Sequence, residues 1–327
     1  MAFLTFLARR LFNAVALLLA VVILNFLLIN LAPGSIVDTI AGEMGGISQE
    51  LMDKIKADYG LDKPLYEQLG LYIFKVMQGD LGYSFFYDAP VTELIWEALP
   101  QTLFLVVVAL TLALVVGTIF GVIAARNPNG IFSHFITILA LVGFSAPVFW
   151  TGIMLLIGFA SLIPIFPPAG MADPDTPVGT LAYVLDVMHH MVLPVVSLAL
   201  IYLAFYSRLS RASMLDVMGS DYIRTARAKG LSQRVVVYKH ALRNALIPIV
   251  TIAGLQFANV FSGAVLVEAV FTWPGLGTVA LEAILRRDGP TLMGILFFSS
   301  IVVVVFNLLT DMTYNLIDPR IRVDAKS

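Results

Sequence analysis

No cysteine occurs among the 327 residues, which excludes structural disulfides and thiolate metal sites and leaves the redox compartment open. Charged residues are scarce at 13%, where soluble domains carry about 25%. Motifs that carry chemistry are missing too. There is no G-x-x-x-x-G-K-[ST] phosphate loop, so the chain should not bind ATP by that route. There is no H-E-x-x-H, no G-x-S-x-G elbow and no nucleophile–base constellation. The 4 histidines are His134, His189, His190 and His240. Adjacent helical positions do not face each other, so a water-facing His189/His190 pair is a simpler reading than a metal site. No catalytic residue, metal or cofactor is expected.

Apolar residues dominate instead, at 59% with mean hydropathy +0.90. Soluble domains hold about 45–50%. Six runs meet the requirement of about 20 apolar residues per crossing: 11–32, 102–125, 135–163, 191–207, 245–271 and 291–309. Backbone groups left unpaired in lipid cost several kcal/mol each, so such runs must be helical. None alternates like a membrane β-strand. The chain therefore reads as an all-α, six-span membrane protein. The first run exceeds the usual signal-peptide core and no A-x-A-like site follows it, so a retained span is expected there. The fourth run is the shortest and begins at Pro194.

With the N-terminus inside, the inner segments hold 14 of the 20 lysines and arginines. That satisfies the positive-inside rule and places both termini in the cytoplasm. Three regions result: 1–32 with the first span, 33–99 as an outer cap with short helices, and 100–327 as a five-span core. The core includes a cytoplasmic loop, 208–244. In the cap, Ser48 is a good N-cap, with Glu50 in the first turn and Ile47 and Met52 placed as a staple. Its carboxylates could greet a cationic ligand; ordinary solvated surface is the favoured account.

Inside the spans, polarity is sparse and uncharged. Gly117 and Gly121 allow close approach of a neighbouring helix. Ser145 and Pro147 lie in GFSAPVFW, where the proline breaks the hydrogen-bond ladder, as a pathway feature or as a packing kink. In the fifth span, Gly254, Ala258 and Ser262 form a narrow stripe, and Thr251, Gln256, Asn259 and Ser262 add polarity. Such groups suit a route for a polar, neutral or zwitterionic solute; interhelical hydrogen bonding is the equal alternative. Trp273, Pro274 and Gly275 then signal a turn at an interface where tryptophan is enriched. A proton-coupled transporter or channel would show ionisable residues in the spans and, often, internal repeats, and these are nearly absent.

Between the fourth and fifth runs lies a basic island, 221–248, with Arg224, Arg227, Lys229, Arg234, Lys239 and Arg243. Its first part sets Thr225, Ala226 and Ala228 between cations and closes with Gly230. That spacing predicts a short helix with one close-packing face, ended by a residue free to take positive φ. Next to a span, such an island meets lipid head groups or a protein partner rather than nucleic acid.

These stretches resemble a known family. YIRTARAKGL (222–231), KHALRNALIP (239–248), GLDKP (60–64), GDLGYS (79–84) and FTWPGLG (271–277) are similar, in this order, to the permease subunits of binding-protein-dependent ABC importers. The match is to the dipeptide/oligopeptide/nickel group, in the subunit with the long first outer loop. In the wider E-A-A–x3–G signature, Arg224, Thr225, Ala226 and Gly230 hold the corresponding positions, and the first two depart from it as the peptide group does. The resemblance implies the type I importer transmembrane fold and a coupling helix made of Tyr222, Arg224, Thr225, Ala226, Arg227, Ala228, Lys229, Gly230 and Leu231. It also implies a second homologous permease, two ATP-binding subunits and an extracytoplasmic solute-binding protein as partners. Trp273, Pro274 and Gly275 would then face the binding protein or form an outer gate. Peptides are the expected solute; nickel, glutathione, oligosaccharide or opine use the same architecture.

Overall fold

The computed structural model describes residues 2–31 and 63–317. The helix expected from Ser48 lies outside the described residues. Five helices are long and apolar enough to cross a membrane, or six if one broken helix pair is counted as a single span. The described chain is otherwise a two-stranded hairpin and shorter helices, and it divides into two compact units.

The first unit comprises Met1–Gln101 and Pro274–Val305. It holds helix α1 (Ala2–Leu31), α2 (Leu65–Met77), the strands β1 (Tyr83–Ser84) and β2 (Ala89–Pro90), and the start of α3 (Val91–Arg126). It also holds α10 (Leu276–Arg286) and most of α11 (Gly289–Ile317). The GDLGYS block becomes the approach to the hairpin. Gly79 and Gly82 take φ of +81° and +96°, which only glycine adopts without strain, and Asp80 Oδ1 accepts from the Gly82 N–H at 2.9 Å. The hairpin is pinned from inside the unit. Asp288 caps α11 by accepting from the Thr291 N–H at 3.2 Å. Its other oxygen accepts from the Thr291 hydroxyl at 2.6 Å and the Ser84 hydroxyl at 2.5 Å. Ser84 and Thr291 are fully buried, so each donor depends on that carboxylate. Nearby, Arg286 lies 4.8 Å over the Phe86 ring, and the Tyr87 hydroxyl donates to Glu282. Burial first, and then that carboxylate, raise the Tyr87 pKa above its ordinary value, so the phenol keeps its proton.

The second unit, Thr102–Trp273 with Phe306–Ser327, holds the remaining elements. They are α4 (Ile131–Ser145), α5 (Val148–Leu156) running into a π-helical turn (Ile157–Leu162), and α6 (Leu181–Met218). Then come α7 (Asp221–Ala228), the single turn α8 (Gln233–Val235), a second π-helical stretch (Val236–Ala241) and α9 (Leu242–Phe271). Helix α6 is central, with α4, α5 and α9 packed against it. Glycines set the closest approaches: a Cβ on Gly117 or Gly121 would collide with the α6 backbone at Leu203 or Ser207, and one on Gly254 with Thr310. The Gly117/Gly121 pair read from the sequence is therefore a contact surface between helices, and in the α9 stripe Gly254 meets a neighbour whereas Ser262 is exposed.

Two span boundaries differ from expectation. The run 135–163 is two helices, not one. Pro147 offers no N–H and forces Ala146 into extended backbone (φ −101°, ψ 134°), so α4 ends at Ser145, whose hydroxyl returns to the Leu141 carbonyl at 2.8 Å. The fourth span does not begin at Pro194. Helix α6 starts thirteen residues earlier, where Thr180 Oγ1 accepts from the Tyr183 N–H at 3.1 Å, and it carries Pro194 inside. Pro194 lies in a buried stretch with Met191, Leu193 and Val195, so packing on both sides of the proline holds the helix together. The loop before α6 is correspondingly shorter than expected. Pro100 and Pro248 are likewise carried inside α3 and α9.

Gly121→Val should lower the thermal midpoint of the purified protein by several degrees, since overpacking a tight contact costs about 1–3 kcal/mol. Gly70→Ala, on α2 with nothing within 4 Å of the added methyl, should hold or raise it. Ser84→Ala removes one donor from a buried carboxylate and should cost about 1–3 kcal/mol, read as the same midpoint.

Candidate functional site

The basic island folds as the spacing predicts. Asp221 stands in the first turn of α7 and Arg227 in the last, each complementing the helix dipole. The C-terminus closes as a Schellman motif. The Gly230 N–H donates to the Arg227 carbonyl at 2.9 Å, and the Leu231 N–H to the Ala226 carbonyl at 3.4 Å. Gly230 takes φ +78°, and nothing lies within 4 Å of where a Cβ would sit. Backbone conformation, not space, is what demands glycine there.

The helix has two faces with different work to do. Ile223 and Ala226, three positions apart, are buried at 0% and 7% exposure. They enter an apolar cluster with Val122 and Ala125 of α3, Met214 of α6, Val236, Val237 and Ala241 of the π-helical stretch, and Ala245 of α9. One short helix is thereby seated on three long ones. On the far side, Arg224, Thr225 and Ala228 are exposed, as are Arg227, Lys229, Gly230 and Leu231. Arg224 Nη1 lies 3.4 Å from Asp221 Oδ1, with both side chains largely in solvent. Such a pair is worth little, so the guanidinium stays available. Of the expected coupling residues, Ala226 alone belongs wholly to the buried foot; Ile223, its partner there, was not singled out by the sequence reading.

The polar residues of the fifth span share one face of α9. Asn259 Nδ2 donates to Gln256 Oε1 at 2.7 Å, and the Ser262 hydroxyl donates to the Ala258 carbonyl at 3.1 Å. Asn259 and Ser262 are exposed, whereas Phe257, Val260, Phe261 and Ala264 on the other face are buried. Thr251 is half-buried on the same face, nearer the start of α9. Ser145 and Pro147 are exposed at the break between α4 and α5. Two cavities in this unit lie elsewhere. One of about 700 Å³ is lined by α4 and α6 with Arg208 and Arg211 at its wall, and one of about 380 Å³ lies between α3 and α9. Neither is lined by any of the six candidate pathway residues.

At the far end of α9, Trp273 is fully buried, while Pro274 is exposed and Gly275 buried. Its N–H donates to the Glu268 carbonyl at 2.9 Å, across a Thr272 held at φ +50°. A β-branched residue in the left-handed region is a backbone outlier, and this one sets the turn. Glu268 is itself fully buried at the end of α9. The sequence reading gave it no role, although an acidic side chain closing an apolar run was its visible signal. Likewise missed was Asp288, whose Asp-Gly-Pro-Thr context is an N-cap signature. His189 and His190 bond the Ile165 and Asp186 carbonyls at 2.9 and 3.0 Å, and no group of three metal-binding side chains occurs among the described residues.

With this geometry in view, comparison with known proteins is decisive. Residues 117–323 match the family described as binding-protein-dependent transport system inner membrane component, and residues 3–106 match that family's N-terminal region. The chain belongs to that family. It is 40% identical over 336 residues to the dipeptide transport system permease protein of Escherichia coli (strain K12), covering 98% of this chain and 99% of the relative. The dipeptide permease of Alkalihalophilus pseudofirmus is 38% identical, over 96% of this chain and 98% of its own length. A putative peptide permease of Brucella abortus (strain 2308) is 39% identical, over 97% and 98%. Among solved structures, the MetNI methionine ABC transporter in inward-facing conformations matches with TM-score 0.54 at 17% identity, over 69% of this chain and 96% of that one. That likeness establishes the fold. The chain is thus a multi-pass inner-membrane permease component of an ATP-driven importer that works with partner subunits. ATP hydrolysis in this family belongs to separate subunits.

Because φ rather than crowding constrains Gly230, Gly230→Asn should keep transport near the parental rate. Gly230→Val should cost about 1–2 kcal/mol at the turn and reduce transport several-fold without loss of membrane insertion. Solute uptake by cells carrying each variant, normalised to protein in the membrane, checks both.

Proposed function

We propose that this permease forms half of the membrane path of a di- or oligopeptide importer, driven through α7 by a cytoplasmic ATPase. The observation that carries the mechanism is the two-faced α7. A buried apolar foot is seated on three long helices, and a small-residue, cationic face is left open to a partner. Thr225 and Ala228 are short enough for close approach, and Arg224 beside them can bond a carboxylate or a backbone carbonyl at the rim of a cleft. A helix gripped on one side and packed on the other is a physical route for force.

The full assembly in this reading has a second homologous permease, two ATP-binding subunits and an extracytoplasmic solute-binding protein. Closure of the ATPase pair on ATP moves both coupling helices and switches the solute cavity between inward- and outward-facing states. The basic island lies in the cytoplasm, with both termini on that side. The uncharged polar face of α9, with Thr251, Gln256, Asn259 and Ser262, suits a zwitterionic peptide backbone, and Ser145 and Pro147 mark a break in the wall. Trp273, Pro274 and Gly275 form the turn nearest the outer gate, the first as its buried anchor. The peptide class is supported by the high identity to dipeptide permeases along nearly the entire chain.

Arg224→Glu and Ala228→Trp should each strip the ATPase subunits from the purified complex and abolish ATP-dependent uptake of a radiolabelled dipeptide into proteoliposomes. Retention of the ATPases and of uptake in both variants would overturn the docking reading. Uptake of nickel but not dipeptide by the parental complex would overturn the solute assignment.

A further inference from the structure

We infer that Tyr222 does not belong to the docking face but, with Asn244, forms a strut that ties α7 to α9 and sets how fully motion of α7 reaches the polar face of that span. The inference rests on the docking reading given above and deepens it. Tyr222 flanks the buried pair Ile223/Ala226, across the helix from Arg224 and beside Thr225, three positions on. Its phenol oxygen accepts from Asn244 Nδ2 at 2.7 Å, in the first turn of α9. The same hydroxyl is directed at the His240 carbonyl, 3.5 Å away, in the π-helical stretch that leads into α9. A π turn displaces the ordinary pairing of backbone carbonyls and recurs at functional sites, so a carbonyl there is a natural target for an outside donor. Tyr222 is 42% exposed, so this bond is not a by-product of burial.

The strut supplies what the apolar cluster cannot. Apolar contact resists separation of α7 from the long helices but is non-directional, so it allows the short helix to roll or slide on its foot. A hydrogen bond between a rigid phenol and an amide fixes both distance and direction. On the other flank, Arg227 Nη2 reaches only the Met218 sulfur at 3.9 Å, a soft contact with α6. Rotation of α7 is therefore arrested against α9, and α9 runs on as one helix, with Pro248 inside it, from Asn244 to Thr251, Gln256, Asn259 and Ser262. Tyr222 and Asn244 are positioning residues: they touch neither nucleotide nor solute and act by keeping the lever in register with the span it moves.

The test uses the complete importer in proteoliposomes, with Tyr222→Phe, Asn244→Ala and the double variant, and reads three quantities. These are ATPase subunits retained on the complex, ATP hydrolysed, and dipeptide imported. The ATPases should co-purify in full, while dipeptide imported per ATP falls about five-fold in each single variant, the scale set by one hydrogen bond. The double variant should be no worse than the worse single, because both remove the same bond. Asn244→Gln, which keeps an amide donor, should recover part of the loss. Unchanged import per ATP in both single variants, or losses that multiply in the double, would overturn the strut. Loss of the ATPases from Tyr222→Phe would place Tyr222 on the docking face and overturn it too. Failure of the docking reading itself registers separately, as ATPases retained in Arg224→Glu and Ala228→Trp.

Discussion

The structure depends on one apolar contact at the ends of the span-length runs: the seating of Ile223 and Ala226 among Val122, Ala125, Met214, Val236, Val237, Ala241 and Ala245. In this reading that contact faces the aqueous side, where water drives apolar surfaces together in the ordinary way. The basic residues around it keep the exposed face of α7 polar, so the helix has one place to sit. Within the bilayer the same driving force is absent, because lipid tails are as apolar as leucine. A junction built from water-driven burial therefore holds three helices at one end, and their lengths across the membrane need another kind of contact.

That other contact is the close approach allowed by missing side chains. Gly117 and Gly121 let α3 lie against the α6 backbone, Gly143 brings α4 to Ala204 and the Leu200 carbonyl of α6, and Gly152 lets α5 meet the side chains of Phe271 and Val270 at the end of α9. Dispersion between closely packed backbones replaces the hydrophobic effect there. In the first unit the equivalent role falls to a polar knot. Asp288 gathers Ser84 and Thr291 so that a hairpin and a helix start are fixed by directional bonds, with both buried hydroxyls served. Each device matches its surroundings: apolar burial next to water, glycine contacts in lipid, and a satisfied carboxylate where buried polar groups leave no alternative.

Much of this was legible beforehand. The apolar runs gave the spans because unpaired backbone cannot persist in lipid, and the small residues closing on Gly230 gave α7 and its left-handed exit almost to the residue. The prolines were less legible. Pro147 breaks its run and Pro194 does not, although both lie in apolar sequence. The difference is set by neighbours: Pro194 is buried in the centre of the second unit, and Pro147 is exposed. The burial of Trp273 was not legible either, since an indole beside Pro-Gly has the same local pattern whether packed or exposed.

The sequence by itself determined that this chain crosses a membrane several times, that it has no means of hydrolysing ATP through a phosphate loop, and that a short cationic helix ending in glycine lies between two spans. Those are local matters of period, length and backbone freedom. Tertiary structure alone decided which face of that helix is spent on the protein itself, that Tyr222 turns inward to Asn244, and that Asp288 and Glu268 are buried. Each depends on residues far apart in the chain meeting at hydrogen-bond or van der Waals distance, and no pattern along a single strand of sequence encodes which distant partner arrives.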